Sequence, residues 1–317
     1  MHTVADPAYI HQSRVASADL LRNSSIELTS NGRETIRAAA DVLQPGMPVY
    51  VPKLPRQTLE DKLVQVEMLR EFGLEPIPHI AARQLSSERE LRTFLEAAVK
   101  NAGIHRVLVI GGDNTEAAGP YSDSASVIAS GVLKSAGISV VDVAGYPEQH
   151  PRIPRKTLHA DLDLKMSLAD QQELGLNIVT QFSFSPAKLI SYCNWLAQHA
   201  PGVPVFAGMA GPTSTAKLLN YARICGVSTS LRAMNSLGMN AVKLTMHSGP
   251  DRQFGLICES KARRETGNLA GIHLFSFGGF VDSARWVCDK ARESGLQISR
   301  SNNKRAPVIT TKNTSNT

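Results

Sequence analysis

The feature that most constrains the fold of this chain is a repeated alternation of short apolar segments with longer segments of helical periodicity. The short segments are apolar or rich in β-branched residues, as buried strands are. The segments between them carry apolar residues at positions i, i+3 and i+4, as amphipathic helices do. The predicted strands are residues 24–29, 48–52, 75–80, 106–111, 138–144, 176–181, 203–207 and 271–277.

Eight strands in strict alternation with helices predict an α/β fold, and we interpret the pattern as a single-domain TIM (β/α)8 barrel. A doubly wound open sheet has the same alternation and is the alternative. The connection over residues 226–270 is too long for one βα unit, so it predicts extra helices before the last strand. The predicted helices lie near residues 32–43, 57–72, 87–101, 124–136, 158–174, 186–198, 214–224 and 280–293.

The 317 residues suffice for one barrel of about 250 residues with short extensions. We predict an irregular N-terminal arm over residues 1–22, a barrel domain over 23–298 and a polar C-terminal tail over 299–317. No apolar run reaches the roughly 18 residues of a membrane span, and residues 1–22 lack the pattern of a secretory signal. Four cysteines without CxxC spacing are typical of reduced thiols, so we expect a cytoplasmic protein.

The charge of the chain raises the question of nucleic-acid binding. The formal net charge is +6 and the pI is about 9.2, but the basic residues are dispersed. Aromatic residues make up only 5% of the sequence and do not interleave with the charges, so stacked bases would find no platform. We therefore expect an anionic small ligand and neither nucleic acid nor a membrane as partner.

In a TIM barrel the chemistry lies where the strands end and the βα loops begin. Glu27 lies in the first predicted strand and shares one face with Ser25 and Thr29. A carboxyl group there is either a general acid with a raised pKa or half of a structural ion pair. His79 follows Pro76-Ile77-Pro78, which stiffens its approach, and is either functional or a hydrogen-bonded core histidine.

Three further strand ends carry candidate ligand-binding groups. The fourth ends in Gly111-Gly112-Asp113, where glycines let a ligand approach the backbone; the alternative is a turn in which Asp113 caps a helix. The loop after the fifth presents Tyr146 for stacking and His150 for phosphate or ribose, without metal-ligand spacing. Gln181 offers a donor and an acceptor to a pterin or flavin edge, unless it is bonded to the backbone.

Four motifs follow one another along the chain: a His after Pro-x-Pro, a Gly-Gly-Asp strand end, Tyr-Pro-Glu-x-His-Pro and Thr-Gln-Phe-x-Phe. From about Ser24 to Ala284 the sequence resembles the methylenetetrahydrofolate reductase family. The resemblance implies a TIM barrel that binds FAD noncovalently. It also implies that hydride passes from NADH or NADPH through the flavin to 5,10-methylenetetrahydrofolate, which gives 5-methyltetrahydrofolate in one-carbon metabolism.

The resemblance further implies roles for individual residues. Glu27 matches the family's general acid, which helps to open the five-membered ring of the folate. Cofactor binding is implied for His79, Gly112, Asp113, Tyr146, His150 and Lys165, of which Lys165 is the candidate for the FAD pyrophosphate. Folate binding is implied for Asp113, Gln181 and Tyr221.

The sequence departs from the family pattern at three strand ends, which marks it as a divergent member. Pro52 stands where the family ends its second strand in Thr, Gly111 replaces an Arg, and Gly278 replaces an Asn that precedes an Arg. Two other functions are kept as alternatives: a flavin-independent, nicotinamide-dependent folate reductase and a folate-binding protein without redox activity. The reaction direction, the choice between NADH and NADPH, and a homo-oligomeric state stay open.

Overall fold

The computed structural model describes residues 7–29, 32–52, 57–214, 217 and 250–296. Eight parallel strands close into a barrel in which each strand pairs with its neighbours in sequence, and β1 pairs with β8. The predicted TIM barrel is confirmed. The strands are β1 (Ser25–Glu27), β2 (Pro48–Val51), β3 (Glu75–Ala81), β4 (Arg106–Ile110), β5 (Val140–Gly145), β6 (Gly175–Thr180), β7 (Val205–Ala210) and β8 (Leu269–Phe275).

The helices form the outer layer, and most of the buried apolar side chains lie between them and the strands. None of the described helices is long and apolar enough to cross a membrane. Within the described residues they are α1 (Pro7–Arg22), α2 (Arg33–Ala40), α3 (Leu59–Glu71), α4 (Glu88–Ala102), α5 (Ser124–Ala129), α6 (Val132–Ser135), α7 (Arg155–Gln171), α8 (Pro186–His199), α9 (Asp251–Ala262) and α10 (Phe280–Glu293).

Several helix ends are set by local side-chain and backbone chemistry. The Thr58 hydroxyl accepts a hydrogen bond from the Asp61 N–H at 3.1 Å, and Ser87 accepts one from the Glu90 N–H at 3.1 Å. Each bond satisfies an N–H that a helix start leaves without an intrahelical partner. The end of α4 is set by Gly103, which adopts the left-handed conformation at φ 60°.

The predicted irregular N-terminal arm is wrong for residues 7–22, because these form helix α1. The helix packs against α9, α10 and β8. Ala16, Leu20 and Leu21 are buried, and Lys261 pairs with Asp19 at 3.2 Å. These three buried apolar residues form too short a periodic pattern to predict the whole helix from the sequence.

Two other predictions change in detail. The helix expected over residues 124–136 is divided into α5 and α6, because Gly131 between them has φ +74°. Of the long connection over residues 226–270, the described part contains the single helix α9. The helix predicted at 214–224, the rest of the long connection and the polar tail fall outside the described residues.

The barrel interior contains a buried polar network among apolar side chains. The Asp142 carboxylate accepts hydrogen bonds from the Tyr50 hydroxyl at 2.6 Å, from Arg106 Nε at 2.8 and 2.9 Å, and from Asn177 Nδ2 at 2.8 Å. Arg106 Nη2 also donates to the Tyr50 hydroxyl at 2.8 Å. The network therefore ties β2, β4, β5 and β6 together from the inside.

We predict that Asp142→Ala lowers the free energy of unfolding by about 3–5 kcal/mol, because it leaves a buried guanidinium without its counter-charge. The Arg106 side chain is 13% exposed and that of Asp142 is 0% exposed. Urea denaturation followed by circular dichroism measures the loss. The control is Asp282→Ala, whose partner Arg285 is as exposed as Asp282 itself, and we expect it to cost less than about 1 kcal/mol. Equal losses in the two variants would contradict the prediction.

Candidate active site

The candidate residues lie at one rim of the barrel, where the parallel strands have their carboxyl ends. Glu27 is the last residue of β1, and His79 lies near the end of β3. Gly112, Tyr146 and Gln181 follow the ends of β4, β5 and β6. Because the barrel is closed, residues far apart in the sequence face one shared space.

Glu27 and His79 form the buried centre of this rim. The Glu27 Oε2 atom lies 3.9 Å from His79 Nε2, and the two side chains are 13% and 8% exposed. Burial raises the pKa of Glu27 to about 8, so its carboxyl group is mostly protonated at neutral pH. Burial, with the positive charge of Lys62, holds the pKa of His79 well below its usual value, so the imidazole is neutral.

Neighbouring residues fix the backbone and the ring of His79, but its Nε2 atom has no hydrogen-bond partner among the described residues. Its carbonyl oxygen accepts a hydrogen bond from Lys62 Nζ at 2.5 Å, and its ring meets that of Tyr50 edge to face at 5.9 Å. Its Nε2 atom is buried and has no hydrogen-bond partner among the described residues. A buried polar atom in this state is suited to a ligand that donates or accepts a hydrogen bond there.

His273 on β8 is a neighbour that the sequence analysis missed. Its Nδ1 atom lies 2.9 Å from the Ser25 hydroxyl, and its ring packs on Tyr50 at 4.6 Å. Burial lowers the pKa of His273 to about 3, so it too is neutral. A polar residue facing inward on the last strand was a possible signal, but only barrel closure brings that strand beside the first.

Glu148 joins the two motifs that follow β5 and β6. Its Oε1 atom accepts hydrogen bonds from the Ser183 hydroxyl at 2.6 Å and from the Phe184 N–H at 3.1 Å, and Lys188 lies 3.7 Å away. The Glu148 side chain is 3% exposed, so it anchors the loop rather than facing the ligand space. Gln149 beside it has φ 69°, which is strained for a residue other than glycine.

Tyr146 and His150 form a ring pair at the end of β5. Their rings meet edge to face at 5.4 Å. Burial and the charge of Asp161 raise the pKa of Tyr146 to about 12, so the phenol keeps its proton. The Arg152 N–H donates to His150 Nδ1 at 3.2 Å, so in the neutral ring the proton is on Nε2, where it can be donated to a ligand.

Gln181 is positioned by its own backbone. Its N–H donates to the Gly145 carbonyl oxygen at 2.8 Å, and its side-chain oxygen accepts from the Phe182 N–H at 3.1 Å. The side-chain amide nitrogen has no hydrogen-bond partner among the described residues. That nitrogen is therefore the group of Gln181 that remains for a ligand.

Asp113 lies exposed in the loop after β4, next to Gly112, whose φ of +85° favours glycine. The alternative in which Asp113 caps the next helix is wrong. That helix is α5, and its cap is Asp123, which accepts a hydrogen bond from the Ser126 N–H at 2.8 Å. Asp113 is thus not committed to a helix start.

Lys165 and Tyr221 are the two candidates for which the structure gives the least support to a binding role. The Lys165 ammonium is 7% exposed and pairs with Asp161 one turn earlier on α7, so a carboxylate already neutralises its charge. Tyr221 lies outside the described residues. Their implied binding roles stay predictions.

An aromatic cluster near the ends of β6 and β8 was also missed. The Phe182 ring packs against Phe277 at 4.9 Å and against Phe275 at 5.5 Å. These residues end β6 and β8, so they became neighbours only through barrel closure. Phe182 and Phe277 are buried and Phe275 is only partly exposed, so this cluster packs the end of the barrel and leaves little ring area for a ligand.

The residues at the rim fit a flavin better than a metal ion. His79 Nε2 supplies an open buried polar atom, Tyr146 and His150 supply a ring and a donor, and Gly112 leaves room for close approach. Within the described part of the chain, no cluster of three or more His, Cys, Asp or Glu side chains could hold a metal ion.

Two comparisons with known proteins bear on this site. A family model described as methylenetetrahydrofolate reductase matches residues 54–243, more than half of the chain. Methylenetetrahydrofolate reductase 2 of Saccharomyces cerevisiae is 26% identical over 162 residues, which cover 48% of this chain and 26% of the yeast protein. The chain thus spans about a quarter of the length of this curated relative.

The matched region contains the candidates from His79 to Tyr221 but not Glu27. The link between Glu27 and the other candidates therefore comes from the closed barrel, which sets Glu27 beside His79. The fold, the order of the motifs and the matched region agree, and the chain belongs to the methylenetetrahydrofolate reductase family.

Proposed function

We propose that this protein is a flavin-dependent oxidoreductase that interconverts 5,10-methylenetetrahydrofolate and 5-methyltetrahydrofolate with NADH or NADPH. The observation that carries the proposal is the buried Glu27 carboxyl group at the barrel rim, 3.9 Å from His79, where burial raises its pKa. A folate-binding protein without redox activity has no use for a buried proton donor. The resemblance of the motifs and the family membership support the substrate class.

Glu27 is the general acid in this proposal. Reduction adds a hydride to the methylene carbon and a proton to the ring nitrogen that this carbon leaves. A carboxyl group with a pKa of about 8 holds its proton at neutral pH and can still release it to a basic nitrogen. FAD, when bound, supplies the hydride carrier between the nicotinamide and the folate.

The other candidates bind and orient in this proposal. His79, Gly112, Tyr146, His150 and Lys165 hold the flavin, and Tyr221 contacts the folate. Asp113 contacts the flavin and also accepts from the amino-imine edge of the pterin, where a charge-assisted bond contributes about 1.5–3 kcal/mol. Gln181 donates to the same ring system. Residues 23–298, extended by α1, form one catalytic unit of a cytoplasmic protein, and its assembly state is left open.

The spectrum of the purified wild-type protein tests this function. A flavin absorbance at about 450 nm should disappear under anaerobic NADH or NADPH and return when 5,10-methylenetetrahydrofolate is added. Folate turnover without any flavin, bound or added, would favour the flavin-independent reductase instead. Folate binding with neither half-reaction would favour the non-redox binder.

We predict that Glu27→Gln slows the folate half-reaction by about 10²–10⁴-fold, since a carboxamide cannot deliver the proton. Reduction of the flavin by nicotinamide should stay unchanged, because that step does not use the acid. Stopped-flow absorbance separates the two half-reactions. The matched control is Glu96→Gln on the exposed face of α4, which should leave both rates as in the wild type. Near-normal folate turnover in Glu27→Gln would refute the assignment.

The pKa of Glu27 also predicts how stability depends on pH. The group titrates at 4.5 when unperturbed and at about 8 in the fold, so the fold binds this proton more tightly than the unfolded chain does. Its contribution to stability is full below pH 4.5 and is lost as the pH rises through about 8.

Within this window the wild type should lose about 1.4 kcal/mol of unfolding free energy per pH unit relative to Glu27→Gln, which does not titrate. Urea denaturation of both proteins at several pH values between about 5 and 8 measures the difference. A difference that does not change with pH would mean that Glu27 is ionised in the fold.

A further inference from the structure

Arg83 occupies a fixed place at the barrel rim that the sequence motifs do not account for. It lies in the 3₁₀ turn Ala82–Gln84, directly after β3. Its guanidinium reaches the loop after β4, where it donates to three carbonyl oxygens. The acceptors are Asn114 at 2.6 Å, Ser122 at 3.4 Å and Gly112. The position of the charge is therefore set by backbone atoms on the neighbouring loop.

The guanidinium of Arg83 is fixed in position, but no carboxylate of the described residues neutralises its charge. No carboxylate among the described residues lies within ion-pair distance of it, whereas Arg106 and Lys165 each pair with an aspartate. A guanidinium has five N–H groups, and the three carbonyl bonds leave two of them for another acceptor. A preorganised guanidinium with unused donors is well suited to an anionic oxygen group, above all phosphate.

The glycine opposite Arg83 makes room for this guanidinium. A β-carbon on Gly111 would lie 3.0 Å from Arg83 Nη1, and the three atoms nearest to it all belong to Arg83. Any side chain at 111 would thus compete with the guanidinium for the same space. Position 111 thus lies next to the guanidinium of Arg83, and an arginine placed there would start beside the same part of the rim.

The charge of Arg83 also reaches the ring pair after β5. Burial lowers the pKa of His150, and the charges of Arg152 and Arg83 lower it further. Arg83 also opposes the rise that burial causes in the pKa of Tyr146. Arg83 therefore lies close enough to Tyr146 and His150 for its positive charge to act on both rings.

We propose that Arg83 binds the diphosphate of the dinucleotide whose other contacts are Tyr146 and His150. This inference rests on the proposed function, because it takes FAD as the dinucleotide. Arg83 supplies the fork of N–H donors, the backbone of the β4 loop holds that fork in place, and Gly111 leaves it space.

The test compares two ligands that share the isoalloxazine ring but differ in phosphate. Dissociation constants of FAD and of riboflavin are measured by flavin fluorescence on the full-length chain freed of bound flavin. We expect Arg83→Gln to weaken FAD binding by about tenfold to a hundredfold and to leave riboflavin binding unchanged. The matched control is Arg92→Gln, whose side chain pairs with Glu88 on the outer helix α4, and it should change neither constant.

A relocated arginine separates charge from loop structure. In the double variant Arg83→Ala/Gly111→Arg, removal of the Arg83 side chain clears the three atoms nearest to position 111. We expect this variant to recover part of the preference for FAD over riboflavin that Arg83→Gln loses. A role confined to holding the loop would instead weaken both ligands alike and lower the melting temperature.

The outcomes distinguish this inference from the proposed function. A wild-type protein that binds FAD tightly while Arg83→Gln binds it equally well overturns the role of Arg83 alone. Equal losses for FAD and riboflavin, without recovery in the double variant, also overturn it. A wild-type protein that binds no flavin overturns both proposals together.

Discussion

The carboxylate of Asp142 is the interaction on which the inside of this barrel depends. It collects donors from β2, β4 and β6 while it sits on β5, so four of the eight strands meet at one buried charge. One of these donors is the hydroxyl of Tyr50, whose ring packs against both His79 and His273. The network at the barrel interior thereby fixes the Tyr50 ring, against which His79 of the Glu27 and His79 pair packs.

The rim of the barrel has two chemically different sides. The β3, β4 and β5 side carries the Arg83 guanidinium and the paired rings of Tyr146 and His150. The β6 and β8 side carries the buried aromatic cluster of Phe182, Phe275 and Phe277. The Glu148 anchor connects the sides by joining the loops after β5 and β6.

The sequence predicts the barrel and the approximate strand ends because the strands and the helices each show a recognisable pattern of apolar residues. It missed α1, whose buried apolar residues Ala16, Leu20 and Leu21 are too few to show a long helical periodicity. It also missed the interior network, because Tyr50 and Asp142 are single polar residues in apolar strands and their partners are set by closure. Glu148 lies in the Tyr-Pro-Glu-x-His-Pro motif, where nothing local in the sequence shows that the next loop uses its acceptor atoms.

Closure also decides which segments belong to one active site. The match to the family model begins at residue 54, after the ends of β1 and β2, yet these two strands contain Glu27 and Tyr50. In the register of the barrel Glu27 lies beside Tyr50 on one side, and Ser25 lies beside His273 on the other. In-register neighbours of a parallel pair point to the same face, so both strands flanking β1 direct its polar residues inward. The placement of Glu27 beside His79 is thus a property of the closed sheet and not of the segment that carries it.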